Sequence, residues 1–229
     1  MTRPPASLRL PLDESATRAL HAGDAVRLSG RLFTARDAAH HYLAGGGDAP
    51  CALDNAVLFH CGPVVVREPS GAWRVTAAGP TTSSREEPYM PALIARFRLR
   101  GIIGKGGMGE ATLTACQRYG CVYFQAVGGA AQVLADAITE VHGVHLLERF
   151  GAPEAIWELS VCEFPATVTM DTHGVSLHAA VLAESRRRLE ALHADFPALR
   201  RVRLQPHIGR RQPVATALGA AGPRSEASP

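Results

Sequence analysis

Residues 101–127 read GIIGKGGMGEATLTACQRYGCVYFQAV, and the fold is decided here. Gly101 to Ile103 is a short apolar run of strand type. Glu110 to Tyr119 has helical spacing and stops at Gly120, a residue suited to closing a helix. Cys121 to Val127 is a second apolar run of strand length. A strand, a glycine loop, a helix and a strand in succession place the chain in the mixed α/β class.

The same alternation continues outward. Ala25 to Thr34 alternates as a strand does, and Asp37 to Leu43 is helical up to the run Gly45-Gly46-Gly47. Ala56 to His60, Val64 to Arg67 and Trp73 to Ala77 read as strands, the last ending at Gly79-Pro80. Tyr89 to Leu99 has helical spacing, with Pro88 and Pro91 acceptable only in its first turn. Downstream, Gly129 to Ile138 is a helix of small residues. Trp157 to Phe164 and Ala166 to Asp171 are strands split by Pro165. Ser176 to Leu192 is a long, charged, amphipathic helix. No internal repeat is found. The expectation is one α/β domain over residues 1–200, a mixed sheet flanked by helices, followed by a disordered tail over 201–229. From about Gln205 that tail is Arg, Pro, Ala, Gly and Ser, too poor in apolar surface to offset its ordering entropy.

Composition narrows the function. A net charge of +3, from 24 basic and 21 acidic residues, is too small to argue for nucleic acid, and 6% aromatic residues leave little to stack bases. No stretch approaches the roughly 18 apolar residues of a membrane span, and Met1 to Leu12 has no leader-type apolar core. A cytoplasmic protein is expected. The five cysteines (Cys51, Cys61, Cys116, Cys121, Cys162) fit no C-x-x-C spacing, which argues against a zinc site, a disulfide framework or a set of cluster ligands. Metal ligands are therefore expected to be absent from this chain.

Three stretches carry chemistry. The first is Gly104-Lys105-Gly106-Gly107-Met108-Gly109, between a strand and a helix. Its glycines permit close backbone approach, and the N–H groups, the helix N-terminus and Lys105 would together face an anion. Gly104, Gly106 and Gly109 also satisfy G-x-G-x-x-G, so a dinucleotide-binding oxidoreductase is an alternative. That reading lacks the acidic residue expected about 20 positions on. The second is Gly79-Pro80-Thr81-Thr82-Ser83-Ser84-Arg85-Glu86-Glu87-Pro88-Tyr89. Ser83 with Glu86 and Ser84 with Glu87 fit the capping box. Thr81 and Arg85 are one helical turn apart, and a hydroxyl beside a guanidinium fork suits a carboxylate. The third is Ala35-Arg36-Asp37-Ala38-Ala39-His40-His41, with Asp37 as a capping residue and His40 one turn after Arg36. Trp157 reads as core, and Asp171 to Gly174 as a turn that ends a strand.

Taken in order, ARDAAH, GPTTSSREEPY, IIGKGGMG, GGAA, FGAPEAIW and DTHG resemble the β part of the class I fumarase and L(+)-tartrate dehydratase family, over roughly Leu10 to Leu182. The resemblance implies a swivelling β/β/α-type domain and an enzyme that adds or removes water across a C4 dicarboxylate. It implies a partner α subunit that holds a [4Fe–4S] cluster with one open iron, and an α2β2 heterotetramer. By the same resemblance, this chain is expected to be the separate β chain. By motif, Arg36, Arg85 and Lys105 match the family's substrate-binding cations, and Thr81 matches its proposed base. His40, Gly104, Gly106 and Gly107 match supporting positions. Three positions depart from the family pattern: Glu86 stands in place of Met, Tyr42 in place of a basic residue, and Val175 in place of Asn. None is an implied site residue; together they bear on which diacid is taken. Fumarate to malate is the first expectation and tartrate dehydration the second. A non-catalytic assembly module is a further alternative, opposed by the presence of all four implied site residues.

Overall fold

The structure is a computed structural model that describes residues 4–195. The expected disordered tail over 201–229 lies outside the described residues. The chain divides into two compact units, the first ending at Ser185. Of the second, which starts at Arg186, the described part is the last stretch of one helix.

The strands are β1 (Ala6–Leu10), β2 (Ala25–Thr34), β3 (Val57–Phe59), β4 (Val64–Arg67), β5 (Trp73–Ala77), β6 (Gly101–Gly104), β7 (Val122–Gln125), β8 (Ile138–His145) and β9 (Ile156–Met170). The helices are α1 (Glu14–Arg18), α2 (Asp37–Ala44), α3 (Met90–Phe97), α4 (Glu110–Tyr119), α5 (Ala131–Asp136), α6 (Leu147–Phe150) and α7 (Leu177–Asp195). Seven strands form one mixed sheet in the order β1-β2-β3-β6-β7-β9-β8, and β9 also pairs with β2. That extra pairing closes β2, β3, β6, β7 and β9 into a small barrel. Strands β4 and β5 form a separate antiparallel hairpin.

Alternation along the barrel strands separates two cores. Val57, Phe59, Ile103, Val122 and Phe124 point inward with Leu28, Leu32 and Trp157. Leu58, Ile102 and Tyr123 point outward, beneath the apolar residues of α2, α3 and α4. This is the period-2 arrangement expected of strands buried on both faces. Trp157 is fully buried, as read from the sequence, and its indole N–H donates to the Ala152 carbonyl at 2.9 Å.

Strands β1 and β8 and helices α1 and α6 were not among the expected elements, and β9 and α5 differ from expectation. Pro165 does not split a strand: β9 is continuous over Ile156–Met170. Strand β8 covers β9 up to Val161 and β7 takes over from Thr167, so Pro165 falls where the second edge is uncovered, a setting in which strands tolerate proline. The chain also bends just before it, at Glu163, which has a positive φ of 53°. The small-residue helix stops at Asp136, and Ile138 opens β8, which was not foreseen.

Candidate functional site

Strands β2, β3, β6 and β7 run parallel, so their carboxyl ends share one rim of the barrel. Sites in α/β sheets form at such ends. Arg36 follows β2, His60 follows β3 and Lys105 follows β6. The segment after the hairpin crosses this rim: Pro80 bridges Cys61, and Thr82 bridges Lys105. The His60 carbonyl accepts from both the Thr81 N–H (2.7 Å) and the Thr81 hydroxyl (2.9 Å). The Lys105 N–H donates to the Thr81 carbonyl at 3.3 Å, and the Ser83 N–H to the Lys105 carbonyl at 3.0 Å. The backbones of Thr81 and Lys105 are thus fixed against each other and against His60.

The arginines converge on the start of α2. Arg36 is its N-cap residue, and its Nε lies 3.5 Å from Glu154 Oε1. Glu154 Oε2 accepts the Ala38 N–H at 3.0 Å. Glu154 therefore caps this helix, not Asp37 as the sequence suggested. Asp37 is the first helical residue, and its carboxylate pairs with Arg85 instead. The Arg85 side chain is 59% exposed, so this pair holds the fork in place without burying it. Lys105 is half-buried and forms no ion pair among the described residues. The expected helical turn from Thr81 to Arg85 is only a 3₁₀ turn over Ser83–Arg85, and Thr81 lies outside it.

Neither capping box forms. Ser83 and Glu86 turn inward, while Glu87 reaches a different helix. Its carboxylate accepts the Gly109 N–H (2.7 Å), the Thr112 N–H (3.1 Å) and the Thr112 hydroxyl (2.7 Å). The amino end of α4, expected to face an anionic ligand, is occupied by the chain's own carboxylate. Gly106 donates its N–H to Gln125 Oε1 at 3.1 Å, and the Gly107 N–H faces the Tyr123 oxygen. Gly106 and Gly107 have φ of 81° and 70°, values that glycine adopts without strain. Gly104 is required by space: a Cβ there would sit 1.9 Å from Ser83 Oγ and 2.9 Å from the Tyr123 hydroxyl.

Beneath the rim lies a buried polar cluster. His40 Nδ1 is 2.7 Å from Glu86 Oε2, and His60 Nδ1 is 2.9 Å from Ser83 Oγ. The Tyr123 hydroxyl donates to Ser83 Oγ at 2.9 Å. Burial raises the Glu86 carboxyl above the ordinary carboxylate range, with His40 opposing. Burial, aided by the neighbouring His40, holds His60 well below the ordinary histidine range. Of these residues only His40 was a candidate from the sequence, as a supporting position; His60, Ser83, Tyr123 and Glu154 were not expected at the site. The available signals were modest: a histidine ending an apolar strand run, and the glutamate inside PEAIW.

Among the described residues, no group of three or more His, Cys, Asp or Glu side chains could hold a metal ion. All five cysteines are free. Burial pushes the Cys51 and Cys61 thiols up to about 12 and raises Cys121 as well, the opposite of what a thiolate ligand needs. The described residues do not fit an iron–sulfur cluster. No helix among the described residues is long and apolar enough to cross a membrane.

Residues 6–181 match the family described as fumarase C-terminus. A Geobacillus stearothermophilus protein provisionally named a class I fumarate hydratase is 50% identical over 183 residues, covering 80% of this chain and 35% of its own length. This chain thus spans about a third of that relative. A Methanocaldococcus jannaschii protein provisionally named an L(+)-tartrate dehydratase subunit beta is 36% identical, across 79% of this chain and 95% of its own length. The L(+)-tartrate dehydratase subunit beta of Escherichia coli K12 is 34% identical, across 75% and 86%.

Proposed function

The chain belongs to the fumarase C-terminus family, and on that premise we propose that it is the β subunit of a hydro-lyase acting on a C4 dicarboxylate. Fumarate to malate is the first choice of reaction and tartrate dehydration the second, the order of identity among the relatives. The observation that carries the reading is the convergence of Arg36, Thr81, Arg85 and Lys105 on segments that meet at one barrel rim. The partner is an α subunit carrying the [4Fe–4S] cluster, in an α2β2 assembly; the beta-subunit names of two relatives support a partner. Five free thiols accord with the reducing, cytoplasmic setting this reading assumes.

In this reading, Arg36 and Arg85 bind the substrate carboxylates and set the carbon chain beside Thr81. Removing a proton next to a carboxylate moves charge onto its oxygens, and cations already in place stabilise that charge as it develops. Lys105, which forms no ion pair with the described residues, has a whole charge to offer. The Thr81 hydroxyl hydrogen-bonds to the His60 carbonyl; to take the proton from the substrate carbon it must first lose its own hydrogen to solvent, and Arg36, Arg85 and Lys105 would stabilise the alkoxide that results. The nicotinamide alternative has lost support, because loop N–H groups it needs are spent on Gln125 and Glu87.

The test is reconstitution with a cluster-bearing α subunit. The complex turns over fumarate or tartrate, and the lone chain turns over neither. Lys105→Ala lowers kcat/KM by about 100-fold or more while size-exclusion chromatography still shows the complex. Full turnover by the lone chain, or by the Lys105→Ala complex, would sink the reading.

A further inference from the structure

Behind Thr81 runs a buried chain of polar groups that the reaction above does not use. It begins where the Gly107 N–H faces the Tyr123 oxygen. Tyr123 donates its hydroxyl hydrogen to Ser83 Oγ, and Ser83 has one hydrogen of its own to give. The partner left for it is His60 Nδ1, 2.9 Å away. A neutral imidazole that accepts at Nδ1 carries its hydrogen on Nε2. The ring is neutral, since burial disfavours its charged form.

The arrangement is costly as structure alone. His40 and His60 are fully buried, with rings edge to face at 5.0 Å, and the Nε2 atom of each has no protein partner. An apolar residue of similar volume would avoid that desolvation. What His60 does supply is an anchored main chain: its carbonyl is the one acceptor for both the N–H and the hydroxyl of Thr81. Space around the anchor is closed as well, because any side chain at Gly104 would strike Ser83 Oγ.

We infer that His60 is a positioning residue for the hydration reaction, locked by the Tyr123–Ser83 hydroxyl pair so that its carbonyl aims the Thr81 hydroxyl at the substrate. The inference rests on the function proposed above. It requires Ser83 to matter for the chemical step and much less for binding, since Ser83 touches neither Arg36, Arg85 nor the Lys105 side chain among the contacts described. It also requires Tyr123 to act through Ser83.

The experiment compares wild type, Ser83→Ala, Tyr123→Phe and the double variant in the reconstituted complex. Long-range proton–nitrogen NMR of the full chain reads the His60 tautomer in parallel. Misaiming a reacting group costs about ten- to a hundredfold in rate, so Ser83→Ala should lower kcat at least about tenfold with KM changed less than about twofold. The double variant should be within about twofold of Ser83→Ala, because the two hydroxyls act in series. The wild-type spectrum should show the hydrogen on Nε2. Tyr123→Phe removes a single oxygen and keeps the kinetic arm open if Ser83→Ala does not fold. An unchanged kcat in Ser83→Ala, losses that multiply in the double variant, or a wild-type hydrogen on Nδ1 would each overturn the proposal. A wild-type complex that turns over no diacid would instead overturn the function, and the tautomer would then decide the network alone.

Discussion

Glu86 shows how one residue can set the pH response of the whole chain. It is 1% exposed and faces His40 on one side and Asp37 on the other. Burial is the largest influence and raises its carboxyl above the ordinary value of 4.5. The folded state then binds this proton more tightly than the unfolded state does. The stabilisation it gives is complete below pH 4.5 and is lost as pH rises through the folded value. Glu86→Gln has no proton to lose and keeps an acceptor for His40. Denaturant unfolding should therefore show the variant gaining on the wild type between pH 4 and pH 7; a constant difference would contradict the assignment. Residues of this kind were hidden in the sequence. Ser83, Glu86 and Glu87 fit local capping boxes, and only the folded chain shows that their partners are His60, His40 and Gly109. The cations were legible because arginine and lysine beside hydroxyls and glycines announce themselves in short motifs. Their counter-charges, Glu154 and Asp37, come from a distant segment or a residue first read as a cap.

At the scale of elements, helix α4 depends on a neighbour for its first turn. Gly109, its N-cap residue, has no side chain to accept the free N–H groups, so Glu87 does so from the segment before α3. Glu87→Ala should cost about 1–2 kcal/mol of stability, the scale of a lost cap with charge-assisted bonds. Glu87→Gln, which retains an acceptor, should cost less. Equal midpoints and slopes for all three proteins in guanidinium unfolding would refute the role. Elements bounded by glycine were read closely, as with α4 ending at Gly120 and α2 ending at Gly45. Strand β8 was missed because its sequence, ITEVHGVH, alternates weakly, and its pairing with β9 is what selects the extended form.

For the whole molecule, closure of the barrel depends on β9, which serves β2, β7 and β8 along its length. No local pattern announces a strand shared three ways, and Pro165 pointed the other way. Thr34 helps secure the closure at the site end: its hydroxyl accepts the Trp157 N–H at 3.0 Å and donates toward the Ala155 carbonyl at 3.4 Å. Thr34→Val keeps the shape and strands both groups in a buried setting, which should cost about 1–3 kcal/mol. Thermal unfolding of the two proteins checks this, and an unchanged Tm would show that the seam holds without the hydroxyl. The occupied amino end of α4 has a practical corollary. Immobilised AMP or a nicotinamide-mimicking dye retains proteins whose glycine loops have N–H groups to spare for a pyrophosphate. Here Gln125 and Glu87 already hold two of them, so this chain should pass through such a column unretained, and the string G-x-G-x-x-G alone would misplace it.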